Sequence, residues 1–313
     1  MMRAASVDTV FSFLRQLWGM PARIATVAGT TLTQLIRMRL FLVPAAAAVL
    51  ILALQFIPYQ ENISIEYQGV AQLQFLKDVC LGCMQLFGLL FCVAATALLL
   101  PRDTEDRILY TILCKPVPRF DYLAGKALGV VALLVLTVGL MDGLMVLLLE
   151  LRSGHIAADI TAQLTANGFS PAEIRPYLDQ VAEAGNTWNT QRGIMASLLG
   201  YSVLTGFTLL ISCCTSGSIV SIIFGLGAYF VGLFQGTLFS AFTSGEGTSA
   251  AAQTAEHITR VLLPDFSLFS VADTAAAGTE LSWGMLGALA LIAALYMLLH
   301  LLTATWIFSN KEF

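Results

Sequence analysis

Long apolar stretches alternate with polar segments along the whole chain. Six stretches of about 17 to 26 residues are apolar enough to cross a bilayer: 40–57, 79–100, 127–149, 193–214, 218–240 and 283–308. A hydrocarbon core of about 30 Å requires roughly 20 helical residues. Since backbone groups in lipid must be bonded within their own segment, and strand-like alternation is absent, these stretches are predicted to be helices. The expected fold class is an all-α integral membrane protein with six transmembrane helices.

The polar segments have a helical pattern of their own. In residues 1–39, apolar positions predict two amphipathic helices, at 7–18 and 22–39, lying on the membrane surface. The sequence of the loop 150–192 predicts a small helical hairpin outside the membrane, with a weaker helix at 156–166 and a second helix after it.

The second hairpin helix has a well-defined predicted start. Ser170, Pro171 and Glu173 provide, in order, an N-cap, a first-turn proline and a capping-box acid, and Gly185 ends the helix. Before the last span, the segment at about 256–273 is apolar but too short to cross, and it is predicted to be re-entrant.

Composition supports the membrane assignment. The hydrophobic fraction is 57% and the charged fraction 12%, whereas soluble domains have about 45–50% and roughly 25%. A soluble globular enzyme is therefore excluded. The chain is expected to consist of spans one to three in 40–149 and spans four to six in 193–313, separated by the helical loop.

The distribution of basic residues predicts the orientation. With six spans both termini lie on one side, and that side has eleven of the sixteen Lys and Arg residues. The positive-inside bias places it in the cytoplasm. We therefore expect a multi-pass protein of the cytoplasmic membrane with both termini inside the cell.

Motifs for catalysis and for ATP binding are missing from the sequence. The phosphate-binding loop requires G-x-x-x-x-G-K-[ST], but Phe120 occupies the first glycine position before Gly125 and Lys126, and Ala127 follows the lysine. The three histidines are far apart in the sequence, and neither H-E-x-x-H nor G-x-S-x-G occurs. We expect no enzymatic activity, no metal site and no cofactor in this chain.

Four residues within or bordering the apolar stretches are considered as candidate functional groups. Asp142 and His300 are candidates for a transport path, because ionisable groups within membranes are often functional; structural groups bonded to neighbouring helices are the commoner outcome. Cys80 and Cys83 have C-x-x-C spacing. This spacing could indicate a redox pair. The favoured interpretation is that both cysteines are small, buried hydrophobic residues.

The connection 101–126 contains a dense group of mixed charges. Asp103, Glu105 and Asp106 begin a helical pattern, which suits the helix dipole, and Pro116 ends it. The pattern predicts a short amphipathic helix at about 103–115. Such a helix could lie on lipid or could be a docking surface for a soluble partner.

The same region resembles a known family. DTEDR at 103–107, LCKPVPR at 113–119 and LAGKALG at 123–129 are similar to the permease subunits of type 2 ABC exporters, and most like those of nitrous oxide reductase maturation. Three further segments are similar to those permeases in order and position. They are LIRMRLF ending at Phe41, LPDFSLF before the last span and the ending WIFSNKEF.

The resemblance implies a half-transporter with an N-terminal elbow helix, a coupling helix after the second span and re-entrant helices before the sixth. Its implied partners are separate ABC subunits that bind ATP, a second permease chain in a homo- or heterodimer, and membrane lipid; no nucleic-acid partner is expected. The implied ATPase-coupling residues are Asp103, Glu105, Asp106, Arg107, Lys115, Pro116 and Arg119.

Two other functional classes are alternatives to a permease subunit. A multispan membrane enzyme or assembly factor without ATPase coupling would need a converging set of polar groups within the membrane. An ion-coupled secondary transporter would need broken helices with acids near the midplane. Asp142 and His300 are the residues available for either.

Overall fold

The structure is a computed structural model that describes residues 2–38, 42–53, 65–105, 117–215, 217–235, 265–272, 275 and 278–310. Over these residues the protein is all-helical, without strands. The helices are α1 (Met2–Arg37), α2 (Leu42–Ala53), α3 (Ile65–Glu105), α4 (Arg119–Ala166), α5 (Pro171–Ala184), α6 (Trp188–Cys214), α7 (Ser218–Leu233) and α8 (Trp283–Asn310).

Four of these helices are long and apolar enough to cross a membrane. They are α3, α4, α6 and α8, in which the most apolar windows have mean hydropathies of 1.9 to 2.5. These helices indicate a multi-pass membrane protein. The described parts of the predicted spans 40–57 and 218–240 are shorter: α2 has 12 residues and α7 has 16, so they rise about 18 and 24 Å.

Helices α1 and α4 each join two helices that the sequence predicts separately. Helix α1 continues through Pro21 instead of dividing there; proline removes one backbone hydrogen bond, and the helical pattern resumes directly after it. Helix α4 is continuous over 48 residues and includes the helix predicted separately at 156–166. No proline interrupts this stretch, and the helix ends before Asn167 and Gly168, as predicted; Gly168 has a φ of +85°.

The capping box of the hairpin is confirmed. The Ser170 backbone N–H donates to Glu173 Oε2 at 2.8 Å, and the Ser170 hydroxyl donates to the same oxygen at 2.9 Å. These bonds lower the pKa of the exposed Glu173 carboxyl. Helix α5 packs on α3 and α4 through the buried Ile174 and Val181. Lys77 is buried and points at the other end of α5, where its Nζ is 3.5 Å from the Gly185 carbonyl oxygen.

The core forms around two packed helix pairs. Helices α3 and α4 are antiparallel: Gly69 meets Ile156 at one end and Asp103 meets Lys126 at the other. Helices α6 and α8 are parallel, with Gly206 against Met297. We call the end at which residues 106–116 join α3 to α4 the connection end, and the opposite end, which carries α5, the hairpin end.

Helix α1 packs lengthwise on the first part of α4. A Cβ atom at Gly125 would lie 2.6 Å from Val27 Cβ, and one at Gly129 would lie 2.7 Å from Thr31 Cβ and 2.9 Å from the Ala28 carbonyl oxygen. The two backbones therefore approach at a distance that only glycine permits. This contact brings α1 against the connection end of the bundle.

Gly129→Ala is expected to separate α1 from α4, because the new methyl group meets backbone that cannot move aside. Overpacking of this kind costs about 1–3 kcal/mol, so the midpoint of thermal unfolding in detergent should fall by several degrees. Gly139→Ala is the matched control, because no atom lies within 4 Å of its added Cβ and alanine is about 1 kcal/mol better in a helix. Equal destabilisation by both variants would contradict the close contact.

Candidate functional site

A buried charge cluster joins three helices at the connection end. Asp103, in the last turn of α3, has no exposed surface. Its Oδ2 is 2.6 Å from Lys126 Nζ and accepts a hydrogen bond from the Tyr122 hydroxyl. Its Oδ1 accepts from Gln34 Nε2 of α1 at 2.8 Å, and Gln34 Oε1 accepts from Lys126 Nζ at 2.9 Å. We call these four residues the Asp103 cluster.

The spacing of the residues explains how the cluster forms. Tyr122 and Lys126 are four residues apart in α4, so they lie on one face of the helix. That face meets the end of α3, because the two helices are antiparallel. Both oxygens of Asp103 are bonded, and Lys126 bonds to two different side chains.

The energetics of the cluster are set by desolvation. Removing a charged group from water costs several kcal/mol, which only a close ion pair with additional hydrogen bonds offsets. If α1, α3 or α4 moved away from the others, Asp103 or Lys126 would lose a partner while still buried. The three helix ends are therefore expected to move together.

Three more contacts surround the cluster. Arg23 Nε of α1 is 2.7 Å from Asp121 Oδ2 of α4. Arg119 Nη1, at the start of α4, donates to the Phe308 carbonyl oxygen at 3.0 Å, and a cation beside the last turn of α8 also suits the dipole of that helix. The Phe308 and Tyr122 rings stack with centroids 6.2 Å apart. Four helix ends are thus joined around the start and the end of the connection.

The predicted coupling residues have different environments. Asp103 is buried within the cluster, and so it is not on a surface that a soluble partner could contact. Glu105 is exposed, and Arg119 is partly buried against α8. In the structure α3 extends to Glu105, so the first residues of the predicted 103–115 helix belong to α3. The other predicted coupling residues lie outside the described part of the chain: Asp106, Arg107, Lys115 and Pro116.

Asp142 is half-buried towards the hairpin end. Its Oδ1 accepts a hydrogen bond from Gln191 Nε2 at 2.9 Å, and the same nitrogen is 3.2 Å from Asn186 Oδ1. A cavity of about 380 Å³ lies beside this group and is lined by Glu150, Asn186, Trp188 and Gln191. Asp142 is thus the buried end of a polar chain that leads to an open cavity.

His300 is fully buried among aromatic rings and is not close to Asp142. Its ring centroid is 5.5 Å from that of Phe207, edge-on, and 6.1 Å from that of Tyr296. His300 lies against Gly206 of α6, whereas Asp142 binds Gln191 of the same helix. The two positions on α6 are about 22 Å apart along the axis, so the structure does not bring Asp142 and His300 into one site.

The segment before α8 packs on the hairpin end of α6. Phe269 lies against Gly200, and Ala272 lies against Gly193. Asn189 Nδ2 donates to the Ala275 carbonyl oxygen at 2.9 Å, which fixes the segment further along. Phe269 and Ala272 belong to the part of the predicted re-entrant segment that the structure describes; residues 256–264 and 273 lie outside the described part.

Cys80 and Cys83 are both buried, and neither forms a disulfide. They pack in the apolar core between α2, α3 and α4. Among the described residues, no group of three or more His, Cys, Asp or Glu side chains could hold a metal ion.

No protein-family model matches the sequence, and no curated protein is significantly similar to it. The Asp103 cluster and the residues around it are therefore the basis of the proposed function.

Lys126→Met is expected to destabilise the protein strongly, because it leaves Asp103 buried without its counter-ion. Breaking a buried pair in this way costs about 3–5 kcal/mol. The double variant Asp103→Leu with Lys126→Met removes both charges and should lose clearly less stability than Lys126→Met alone. Thermal unfolding in detergent measures both. Additive losses would contradict the direct pairing of the two charges.

Proposed function

We propose that this chain is the membrane-spanning permease subunit of an ABC transporter, which moves a substrate across the cytoplasmic membrane with energy from a separate ATP-binding subunit. Its termini and the 106–116 connection face the cytoplasm. The observation that carries the proposal is the Asp103 cluster, which joins both helices flanking the connection at a single buried point.

The cluster is suited to transmitting force. A soluble subunit that pushes on the connection acts on α3 and α4 together, because Lys126 and Asp103 cannot separate without leaving a buried charge unpaired. The additional link from Arg119 to α8 extends the moving unit to a third apolar helix. A displacement at the connection thereby becomes a tilt of several long helices.

The chemistry of the connection also supports a protein partner. Glu105 is exposed at its start, and the sequence continues with Asp106, Arg107 and later Lys115. A segment with acidic residues at its start and basic residues after them favours specific electrostatic pairing with a soluble subunit. The resemblance of residues 102–129 to type 2 ABC exporter permeases agrees with this role, and so does the missing phosphate-binding loop, which requires another chain to supply the energy.

The apolar surface of the helices supports pairing and lipid contact. Ile219, Ile223 and Phe224 of α7 are each more than half exposed, as are Leu291 and Leu295 of α8. In the proposed transporter, a second permease chain and membrane lipid cover these side chains. Asp142 is the candidate for the transport path, since its polar contacts lead to a cavity at the hairpin end.

Glu105→Lys combined with Arg107→Glu tests the coupling directly. Reversing both charges should abolish co-purification with an ATPase that has the phosphate-binding loop, while the permease still inserts into the membrane. The measurement is affinity purification of the tagged chain in mild detergent, with the bound ATPase identified by mass spectrometry.

The matched control is Glu183→Lys with Arg175→Glu, which reverses two exposed charges on α5 at the hairpin end. It should leave co-purification unchanged. Undisturbed binding by the Glu105 and Arg107 variant, or equal loss in the control, would contradict the assignment of the connection as the docking site.

A further inference from the structure

The cavity at the hairpin end is lined by one aromatic and three polar side chains. Its volume is about 380 Å³, within the range of about 300–1,000 Å³ found for small-molecule sites. Glu150 belongs to α4, Asn186 and Trp188 lie where α5 gives way to α6, and Gln191 belongs to the first turns of α6. The cavity therefore has room for a small organic molecule and a few groups that can select one.

Two carboxylates make this region negative. Glu150 lines the cavity and is exposed. Asp142 lies behind Gln191, whose Nε2 is 2.9 Å from Asp142 Oδ1. Among the residues that the structure describes, neither carboxylate has an ion-pair partner. Their charges attract a cation to the cavity.

Three basic side chains belong to the same part of the bundle, but none is among the described residues that line the cavity. Lys77 is buried. Arg152 lies roughly 200° around α4 from Glu150, because a helix turns about 100° per residue. The Arg192 guanidinium carbon is 4.8 Å from the ring centroid of Trp283, at the start of α8. The ends of α5 and α6 also meet here, and their opposite dipole charges offset each other.

The amide group of Gln191 is held with its acceptor available. An ionised carboxylate can only accept hydrogen bonds, so Asp142 requires the amide nitrogen of Gln191 to face it. The same nitrogen is 3.2 Å from Asn186 Oδ1, so both of its hydrogens are used. Gln191 Oε1 accepts no hydrogen bond from the described residues. Asp142 is thus a positioning residue, and Gln191 Oε1 joins the Glu150 carboxylate as an acceptor for a ligand.

Trp188 adds an aromatic surface to these acceptors. Its side chain is 78% exposed and lines the cavity. An indole face attracts a cation that lies within about 6 Å of the ring centroid. Tryptophan is also common as an anchor at the membrane interface, but an anchor does not require a carboxylate and an amide oxygen in the same cavity. An organic ammonium group uses all three, through its charge, its N–H donors and its neighbouring carbon atoms.

We propose that this cavity binds the ammonium group of a small organic cation. Glu150 compensates the charge and accepts N–H hydrogens together with Gln191 Oε1, while Trp188 contacts the adjoining carbon atoms. Two sources supply this chemistry, a soluble amine and the headgroup of an aminophospholipid. The binding site requires only the described helices, whereas the assignment of the cation as the transported substrate rests on the proposed function.

Binding of radiolabelled butylamine, which is protonated at neutral pH, tests the site. The measurement is a scintillation proximity assay on the tagged full chain in nonionic detergent. Glu150→Gln should weaken binding about 10-fold, because it removes a hydrogen bond to a charged group. Trp188→Leu should weaken it about threefold, because it removes the aromatic face. Butanol has a similar shape without the charge and should not compete.

Two control variants match these substitutions away from the cavity. Glu183→Gln removes an exposed acid of α5 that does not line the cavity. Trp306→Leu removes a tryptophan of α8 that is 70% exposed. Both should bind butylamine like the wild-type chain. Should Glu150→Gln fail to fold, the wild-type chain still tests the site, because butylamine binding must weaken as salt rises.

Four results would overturn the proposal: competition by butanol equal to that by butylamine, unchanged binding in Glu150→Gln or in Trp188→Leu, equal loss in a control variant, or no dependence on salt. Phosphatidylethanolamine added to the detergent separates the two sources. If it displaces butylamine, the ligand is a lipid headgroup; if it does not, the ligand is a soluble amine.

The binding measurement requires neither the ATPase nor ATP. A chain that does not bind butylamine would therefore overturn this inference and leave the proposed function standing. Undisturbed co-purification after charge reversal at the connection would contradict the proposed function and leave the binding site standing. ATP-driven movement of butylamine into or out of proteoliposomes that contain the partner ATPase tests the substrate assignment, and binding without movement would overturn that assignment alone.

Discussion

Asp103 has a carboxylate group without exposed surface, and side chains from two other helices supply the groups that make its burial tolerable. Lys126 compensates the charge, while Tyr122 and Gln34 satisfy the remaining acceptor capacity. Removing Lys126 would cost about 3–5 kcal/mol, and removing either hydrogen-bond donor would cost about 1–3 kcal/mol, so the ends of α1, α3 and α4 have one favourable arrangement. This arrangement fixes the helix ends that residues 106–116 connect.

The proposed docking site depends on this anchor, because Asp103 and Lys126 hold together the helix ends on either side of residues 106–116.

The sequence predicted some features of this fold well. Apolar length identified α3, α4, α6 and α8, and the order of Ser170, Pro171 and Glu173 predicted the start of α5, because these signals are local. The continuity of α1 through Pro21 was not predicted, since a proline weakens a helix without always ending it. The six-span count depends on α2 and α7, whose described parts are short.

The candidate site was predicted only in part. The charges around residue 103 drew attention to the region in which the Asp103 cluster lies, but Asp103 was expected on a docking surface and lies in the interior. Its partner Gln34 is 69 residues away in the sequence, and no local pattern relates the two. The spacing of Tyr122 and Lys126 was the one available signal, since it places both on one face of α4. Asp142 and His300 are far apart because their neighbours on α6 are separated by four helical turns.

The central claim is that α3 and α4 form one rigid unit at the connection end. Pulsed electron spin resonance between labels at Thr104 and Pro118, both exposed and neither of them a proposed coupling residue, measures the distance across this end in a cysteine-free background. The account predicts a single narrow distribution of distances that does not change when the partner ATPase and ATP are added. A broad distribution, or a shift on adding ATP, would contradict it.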